Sequence, residues 1–400
     1  MKLCPTLRNY DVDRQLVKDV VAGVSVASLA MPQSMSNALV AGLPAEYGLY
    51  GVIQLGYPIL GSSPNLVVGP VAITALLTSA ALTDIGLTRF TPEWVIGCTM
   101  LSLTVGILQL ALASLGLGTK IASLLSEETT KAFSTSGVIT LIRSQFKDLT
   151  GSSSLETLIS RPRFDIIFLS LASLLLLEGC KRAGSRFGSL IVVALSCGLV
   201  MHDIIQGVPL IGTLPAGLPQ SFPIVHIGEV GTDRVFWRML LWAIPMAFLS
   251  FTEAYVVAKG EVTRRSIDAN VELAAVGLAN VCTSALGSYP VTGSFSRTAI
   301  NQSSGATSAL SHFAGALFVI GALFAATNWV SLLPRACIAA IVFSATIRLV
   351  DIKYIRSLLQ GSDVTRTSKY FLVLAIGLVN GVDAALAAGL VLDMLALIWR

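Results

Sequence analysis

Long hydrophobic stretches alternate along this chain with short polar or glycine-rich segments. Uncharged runs such as Trp94–Leu117, Ile166–Leu177 and Phe313–Ala326 reach or approach the roughly 20 residues that cross a bilayer as a helix. Backbone exposed to lipid has to satisfy its own hydrogen bonds, and a helix does so within one segment. The pattern therefore predicts an all-α integral membrane protein.

About 14 hydrophobic segments can be distinguished, and several are too short to cross a membrane alone. Their predicted starts are Leu16, Tyr47, Pro70, Trp94, Thr129, Phe164, Gly188, Phe236, Ala269, Ser294, Ser308, Val330, Tyr370 and Asp383. The residues before the first segment lack the apolar core of a cleaved signal peptide, so we assign them to the mature protein.

The composition agrees with a membrane protein and argues against a nucleic-acid partner. Of the 400 residues, 54% are hydrophobic and only 12% are charged, and the mean hydropathy is +0.76. Soluble domains contain about 25% charged residues. The net charge of +4 is explained by basic loops on one side of a membrane.

The positions of lysine and arginine predict the orientation in the membrane. With about 14 segments, most basic clusters fall on one side, which the positive-inside rule makes cytoplasmic. They are Lys2, Arg8, Arg14, Lys18, Lys181, Arg182, Arg186, Lys259, Arg264, Arg265, Lys353, Arg356, Arg366 and Lys369. Arg143, Lys147, Arg161 and Arg163 fall on the outer side and are the exception. We expect a plasma-membrane protein with both termini in the cytoplasm.

The cysteines and histidines form no recognisable metal, cofactor or catalytic motif. The six cysteines lack CxxC spacing and lie mostly in apolar runs, which is typical of small core residues. The histidines His202, His226 and His312 are isolated. No cofactor is predicted, and an enzyme is the least favoured class of function.

Two glycine-rich stretches resemble each other. LGSSPNLVVGPVAI (60–73) and LGSYPVTGSFSRTAI (286–300) share an LGSxP start, then a glycine, then a short segment. They fall in the third and tenth segments, as two halves of seven segments would place them. Because seven is odd, the halves would be inverted relative to each other, which is the plan of many secondary transporters. Chance similarity of membrane segments is the alternative.

The segments that follow these glycines are too short to span the membrane. About 10 to 13 helical residues rise only about 15 to 20 Å, against a hydrocarbon core of about 30 Å. The first backbone N–H groups of such a half-helix lack partners and carry partial positive charge. Two half-helix starts that meet near the membrane midplane would form an anion site.

Arg297, one turn into the second half-helix, would add a full positive charge to that site. Ser294, Arg297 and Asn301 share one helical face. Intramembrane ionisable residues usually mark function. The alternative is that Arg297 only balances a buried carboxylate such as Glu253.

Two other segments carry suitable polar groups. In the first, Pro32 predicts an interrupted helix, and Gln33, Ser36 and Asn37 form one polar stripe, either for the site or for helix packing. In the eighth, Glu253 lies near the end of a long apolar run, where a carboxyl group could exchange a proton during transport. Sodium is the competing coupling ion, with few oxygen ligands nearby.

Three stretches resemble the SulP family of sulfate permeases and related anion transporters, to which prestin and pendrin belong. They are PQSMSNALVAGLPAEYGLYG (32–51), IGTLPAGLPQSFP (211–223) and SIDANVELAAVGLANVCTSALGSYPVTGSFSRTAINQSSGATS (266–308). The resemblance extends from the first segment to the last.

The resemblance implies a fold of 7+7 inverted repeats like that of uracil permease. The first repeat would cover 16–200 and the second 236–400, with 1–15 as a cytoplasmic N-terminus and 201–235 as an extracytoplasmic connection. Segments 1–4 and 8–11 would form a core domain that moves like an elevator against a gate domain of segments 5–7 and 12–14. Family members also form homodimers.

Carried over by position, the family's anion site falls on four segments. It comprises Gln33, then Gly69, Pro70, Val71 and Ala72, then Glu253, and finally Gly293, Ser294, Phe295, Ser296 and Arg297, supported by Ser36, Asn37 and Asn301. A SulP protein usually continues into a STAS domain, which is expected to be absent from this form because the sequence stops at Arg400.

The predicted function is secondary active transport of a small anion. Our first choice is proton-coupled symport of a dicarboxylate such as fumarate. A sulfate or bicarbonate transporter, coupled to sodium or working as an exchanger, is the alternative, as is an anion channel. A nucleobase permease would be expected to carry a second carboxylate where this chain has Ser294 and Arg297.

Overall fold

The computed structural model is a helical protein. It describes residues 10–124, 126–152, 154–185, 188–211, 217–219, 223, 233–261, 267–325, 331–347, 350–361 and 363–398. The first half contains α1 (Val12–Ala41), α2 (Ala45–Val52), α3 (Gly56–Leu60), α4 (Ala72–Ile85), α5 (Pro92–Ser114), α6 (Gly118–Leu124), α7 (Glu127–Thr150), α8 (Leu155–Ser160), α9 (Phe164–Arg182) and α10 (Gly188–Met201). The second half contains α11 (Asp233–Glu261), α12 (Ala269–Ala285), α13 (Phe295–Ser303), α14 (Leu310–Ala325), α15 (Arg335–Thr346), α16 (Ile352–Gln360), α17 (Val364–Asn380) and α18 (Val382–Ile398).

Most of the predicted segment starts lie within about one turn of a helix start. One exception is Val330, which lies outside the described residues. The other is Tyr370, because α17 already begins at Val364 and carries Arg366 and Lys369 in its first two turns. Among the described residues, the helical stretches Pro92–Ser114 and Val235–Tyr255 are long and apolar enough to cross a membrane on their own.

Helix α1 is continuous through Pro32, so the predicted interruption of the first segment is wrong. A proline inside a helix removes a single backbone donor, and packing of the helix on its neighbours can retain the remaining turns. Helices α2, α4, α13 and α14 all contact α1. The Pro32 side chain itself is buried.

A short antiparallel ladder joins the two glycine-rich stretches. Strand β1 (Val68–Gly69) pairs with β2 (Thr292–Gly293), with Val68 opposite Gly293 and Gly69 opposite Thr292. The ladder continues into the next turn, where the Ser294 amide donates to the Val67 carbonyl at 2.9 Å. The prediction of an all-α protein therefore missed this two-stranded ladder. The ladder brings the starts of α4 and α13 together.

A buried amide network holds the segment that leads into β2. Asn280 Oδ1 accepts a hydrogen bond from the Val291 amide at 2.7 Å, and Asn280 Nδ2 donates to Gln109 Oε1 at 2.9 Å. Gln109 Nε2 in turn donates to Ser250 Oγ at 2.7 Å. All three polar side chains are fully buried. Helices α5, α11 and α12 are thereby joined around the extended segment.

A second group of helices surrounds α7, which packs against α9, α15, α17 and α18. Charged pairs also connect this region: Lys131 of α7 with Asp351 before α16 at 2.6 Å, Arg366 with Glu128, and Lys369 with Asp393. Arg366 and Lys369, predicted as loop residues, thus have acidic partners within α7 and α18.

Other residues singled out in the sequence have simple environments. Cys98, Cys197 and Cys337 are buried among apolar side chains, as predicted. Six basic residues of the predicted cytoplasmic clusters precede α17 and have side chains that the structure describes. All six are exposed: Arg14, Lys18, Lys181, Arg182, Lys353 and Arg356. Cys4 and His226 lie outside the described residues.

Asn280→Ala should destabilise the protein by about 1–3 kcal/mol, because the buried Val291 amide would lose its acceptor. SDS-induced unfolding in mixed micelles measures this change. The matched control is Asn380→Ala at the exposed end of α17, where we expect a change within about 0.5 kcal/mol. Equal losses in the two variants would contradict a positioning role for the network.

Candidate functional site

The structure brings together the four chain segments that the sequence selected for the site. Gln33 lies on α1, the stretch Gly69–Ala72 forms the entry to α4, and Glu253 lies on α11. The stretch Gly293–Arg297 forms the entry to α13. Phe295 and Ser296 also belong to this entry, but their side chains lie outside the described residues. The binding roles of these residues remain predictions.

Arg297 is the central side chain of this region and is only 1% exposed. Its Nε donates to Gln33 Oε1 at 3.3 Å, and its Nη2 donates to the Pro70 carbonyl at the entry to α4. Within the described part of the chain these are the hydrogen bonds of the guanidinium group. That group has five N–H donors in a fixed plane, so it retains capacity for a further acceptor.

Arg297 and Glu253 are not paired in the described structure. The ion pairs found among the described residues do not include either of them. Glu253 is 8% exposed, and its Oε2 has no hydrogen-bond partner there. The alternative in which Arg297 only balances Glu253 is therefore not supported by the geometry.

The two short helices differ at their N-termini. At α13, the Ser294 side chain accepts a hydrogen bond from the Arg297 amide at 3.5 Å. At α4, the residue in the capping position is Val71, and no side chain caps the first turn. Free N–H groups at a helix start carry partial positive charge and favour an anion. The backbone N–H groups at the start of α4 are thus more available to an anion than those at the start of α13.

The two glycines of the ladder sit in different surroundings. A Cβ atom added to Gly69 would lie 2.6 Å from Nη1 of Arg297, which is the mobile end of a side chain. A Cβ atom added to Gly293 would lie 2.7 Å from the Cα atom of Ala254, which is backbone. The absence of a side chain at Gly69 is what lets the guanidinium reach α4.

The β2 strand is also tied to α11 beside Glu253. The Thr292 hydroxyl donates to the Ser250 carbonyl at 2.6 Å, one turn before Glu253. Together with the close contact of Gly293 with Ala254, this fixes the carboxyl-bearing turn of α11 against the entry to α13. Glu253 is therefore a neighbour of the Arg297 helix without being its partner.

The predicted supporting residues separate into different environments. Ser36 Oγ donates to Gln145 Oε1 on α7 at 3.2 Å, so it bridges α1 to the second group of helices. Asn37 is fully buried, and both polar atoms of its side chain lack a partner among the described residues. Asn301 Nδ2 donates to the Asn65 carbonyl at 3.0 Å. Within the α1 stripe, the hydrogen bond to Arg297 that the described structure contains is made by Gln33.

Sequence reasoning missed Thr298, which is fully buried next to Arg297. Its hydroxyl accepts a hydrogen bond from the Val67 amide at 3.0 Å, and so it holds the approach to β1 against α13. A threonine one turn after the capping serine was the only available signal. The role of Thr298 can be inferred only when β1 is known to lie beside α13.

Taken together, the arrangement can bind an anion. A buried guanidinium, which has no carboxylate partner among the described residues, lies beside a helix start without a side-chain cap, and both would be stabilised by negative charge. Gln33 adds an oriented amide, and the glycine at position 69 permits close approach.

Comparisons with known proteins show which sequences this chain resembles. The family model described as the sulfate permease family matches residues 16–372. A probable sulfate transporter of Mycobacterium tuberculosis (strain CDC 1551 / Oshkosh) is 32% identical over 401 residues, which cover 94% of this chain and 69% of the relative. The chloroplastic sulfate transporter 4.1 of Arabidopsis thaliana is 31% identical over 417 residues, with 95% and 59% covered.

Solved structures show the same fold at low sequence identity. The murine solute carrier 26 family member A9 anion transporter, in an inward-facing state, superposes with a TM-score of 0.85 at 19% identity, covering 99% of this chain and 71% of that one. The transmembrane domain of a cyanobacterium bicarbonate transporter, BicA, gives 0.77 at 20% identity, covering 93% and 97%. This chain spans about two thirds of the length of its Mycobacterium relative.

Substitution of the two ladder glycines should separate their roles. Gly293→Ala should destabilise the protein by about 1–3 kcal/mol, because the new methyl group meets backbone. Gly69→Ala should change stability by less than about 1 kcal/mol, because Arg297 can move aside, yet it should weaken anion binding. SDS unfolding and equilibrium binding measure the two effects. Unchanged anion binding by Gly69→Ala would contradict the proposed importance of this close approach.

Proposed function

The chain belongs to the sulfate permease family, whose members are integral membrane proteins that transport anions, and we propose that it transports sulfate by secondary active transport. The anion would bind between the entry to α4 and Arg297 of α13. The observation that carries this proposal is the buried guanidinium, which has no carboxylate partner in the described structure and lies beside an uncapped helix start.

Sulfate replaces the dicarboxylate that the sequence alone favoured. The relatives in Mycobacterium and Arabidopsis are named as sulfate transporters, and the identity to them extends over more than nine tenths of this chain. A tetrahedral dianion can accept hydrogen bonds from a planar guanidinium and from backbone N–H groups at once. Dicarboxylate symport remains a prediction without support from these relatives.

Proton coupling through Glu253 forms the second part of the proposal. The carboxyl group is buried, and its Oε2 lacks a partner in the described structure. Sodium needs several oxygen ligands around one position, whereas Val257, one turn after Glu253, is apolar and fully buried. A proton requires only the carboxyl group itself. Accumulating a dianion against the membrane potential requires about 2.3 kcal/mol per charge per 100 mV, so two protons have to enter with each sulfate to cancel its charge, and Glu253 would carry one of them.

The mechanism we propose is movement of a core domain against a gate domain. The core would comprise α1–α5 and α11–α14, and the gate α7–α10 and α15–α18. In support, α1 packs on α14 and α5 packs on α12, while α7 packs on α17 and α18. The Ser36–Gln145 hydrogen bond would cross the boundary and break during movement. We further propose a homodimer in the plasma membrane with cytoplasmic termini.

Uptake of radiolabelled sulfate, fumarate and bicarbonate into proteoliposomes tests this function. We expect saturable sulfate accumulation when an inward proton gradient is imposed, with no requirement for sodium. Accumulation of fumarate alone would restore the dicarboxylate interpretation. Single-channel currents without accumulation would contradict a transporter.

Arg297→Ala should weaken sulfate binding by about 10- to 100-fold, because it removes a charge-assisted hydrogen bond of about 1.5–3 kcal/mol. Arg297→Lys is the matched control, since it keeps the charge but loses the planar donor pair, and it should bind with intermediate affinity. Equilibrium binding of labelled sulfate to purified protein measures both. Wild-type affinity in a folded Arg297→Ala variant would remove Arg297 from the site.

Glu253→Gln should abolish sulfate accumulation on a proton gradient but retain sulfate exchange between preloaded liposomes and medium. The amide preserves the shape of the side chain and cannot take up the coupled proton. Counterflow and gradient-driven uptake, measured on the same preparation, separate the two activities. Gradient-driven accumulation at the wild-type level would assign coupling to another group.

A further inference from the structure

A small space lies beside Arg297, between α1, α14, the end of α2 and the approach to β1. Its volume is about 30 Å³, and its walls include Ala27, Ala30, Gln54, Arg297, Asn301 and His312. Arg297 and the supporting residue Asn301 belong to the predicted anion site, whereas Ala27, Ala30, Gln54 and His312 do not. The rest of the wall consists of four valines, Gly315 and Ser311, whose hydroxyl donates to the Ser308 carbonyl at 3.2 Å.

Three polar side chains in this wall have atoms without partners in the described structure. They are Nε2 of Gln54, Oδ1 of Asn301 and both ring nitrogens of His312. Gln54 is 3% exposed and Asn301 is 1% exposed. An unmade hydrogen bond on a buried polar group costs about 1–3 kcal/mol, so three such groups around one cavity point to an occupant.

The orientation of both amide groups is set by contacts at their other ends. Gln54 Oε1 accepts a hydrogen bond from the Tyr57 amide at 3.1 Å, which leaves Nε2 as the free donor. Asn301 Nδ2 donates to the Asn65 carbonyl, which leaves Oδ1 as the free acceptor. Rotating either amide would break an existing hydrogen bond.

The chemistry of these free atoms identifies the occupant. It has to accept a hydrogen bond from Gln54 and donate one to Asn301, while a neutral histidine ring can do either. A metal cation would oppose the Gln54 donor, and an anion would oppose the Asn301 acceptor. Water can both accept a hydrogen bond from Gln54 and donate one to Asn301. One water molecule needs about 10–15 Å³ of cavity volume, so this cavity has room for about two.

We propose that this cavity holds bound water, hydrogen-bonded to Gln54, Asn301 and His312. This water solvates the part of Arg297 that lines the cavity and so positions its guanidinium group. This solvation explains how Arg297 remains charged at 1% exposure without a carboxylate partner among the described residues. Gln54, Asn301 and His312 are then positioning residues. Their effect on sulfate rests on the function proposed above, whereas the water itself does not.

A map of the wild-type protein at a resolution that shows ordered water tests the first part. We expect density in the cavity within about 2.7–3.2 Å of Gln54 Nε2 and Asn301 Oδ1. An empty cavity in such a map would overturn the proposal. This outcome is independent of whether sulfate is the transported anion.

Filling the cavity tests the second part. Ala30→Val adds two methyl groups where the water would lie, and Ala30→Ser is the matched control that leaves room and can itself hydrogen-bond. In Ala30→Val we expect the cavity density to disappear, Arg297 to leave the Pro70 carbonyl, and the Kd for sulfate to rise at least fivefold. In Ala30→Ser we expect the wild-type arrangement and a Kd within twofold.

Ala27→Val serves as a second filling variant if Ala30→Val does not fold, since Ala27 lines the same space. An unmoved Arg297 in a filled cavity would show that the water does not position it. Should wild-type protein bind no sulfate, the proposed function would fail, while the position of Arg297 in the two maps would still decide the role of the water.

Discussion

The antiparallel pairing of Val68–Gly69 with Thr292–Gly293 is the contact on which the centre of this protein depends. Two segments leave helical conformation there, and a chain inside a membrane has to satisfy the backbone groups that this exposes. The ladder, the Ser294–Val67 hydrogen bond and the Asn280–Val291 hydrogen bond meet that requirement. As a result, the starts of α4 and α13 lie next to each other although they are far apart in sequence. The positive ends of both helix dipoles are then available to a ligand.

The second constraint is electrostatic. Arg297 places a full positive charge beside the N-termini of α4 and α13, which the ladder holds together. In the described structure its neighbours are Gln33, the Pro70 carbonyl and a cavity lined in part by polar side chains, and no carboxylate pairs with it. Such an arrangement is least stable when empty and gains stability when negative charge enters. Glu253 lies on α11, whose neighbouring residues Ser250 and Ala254 contact Thr292 and Gly293, and it forms no ion pair with Arg297 among the described residues. The proposed anion binding and the proposed coupling would therefore use separate groups.

Much of this site could be predicted from the sequence, because short apolar segments after glycines, and a charge within one of them, are local signals. The starts of the two short helices, and the presence of Gln33 and Arg297 in one region, follow from such signals and from the family resemblance. The ladder, Thr298 and the Gln54–Asn301–His312 cavity could not be predicted, because each depends on segments that are distant in sequence. The continuity of α1 through Pro32 depends on tertiary packing, which overrides the local preference of proline. The short helices α6, α8 and α16 lack a long apolar period and gave no signal.

The central claim is that the transported anion binds at the entry to α4 against Arg297. A structure of the protein with selenate, which resembles sulfate and can be located by the anomalous scattering of selenium, tests this claim most directly. The account predicts a selenium peak between the first turn of α4 and the entry to α13, with selenate oxygens about 2.7–3.2 Å from the Arg297 guanidinium and from backbone N–H groups of α4. A peak elsewhere at saturating selenate, with this position empty, would contradict it.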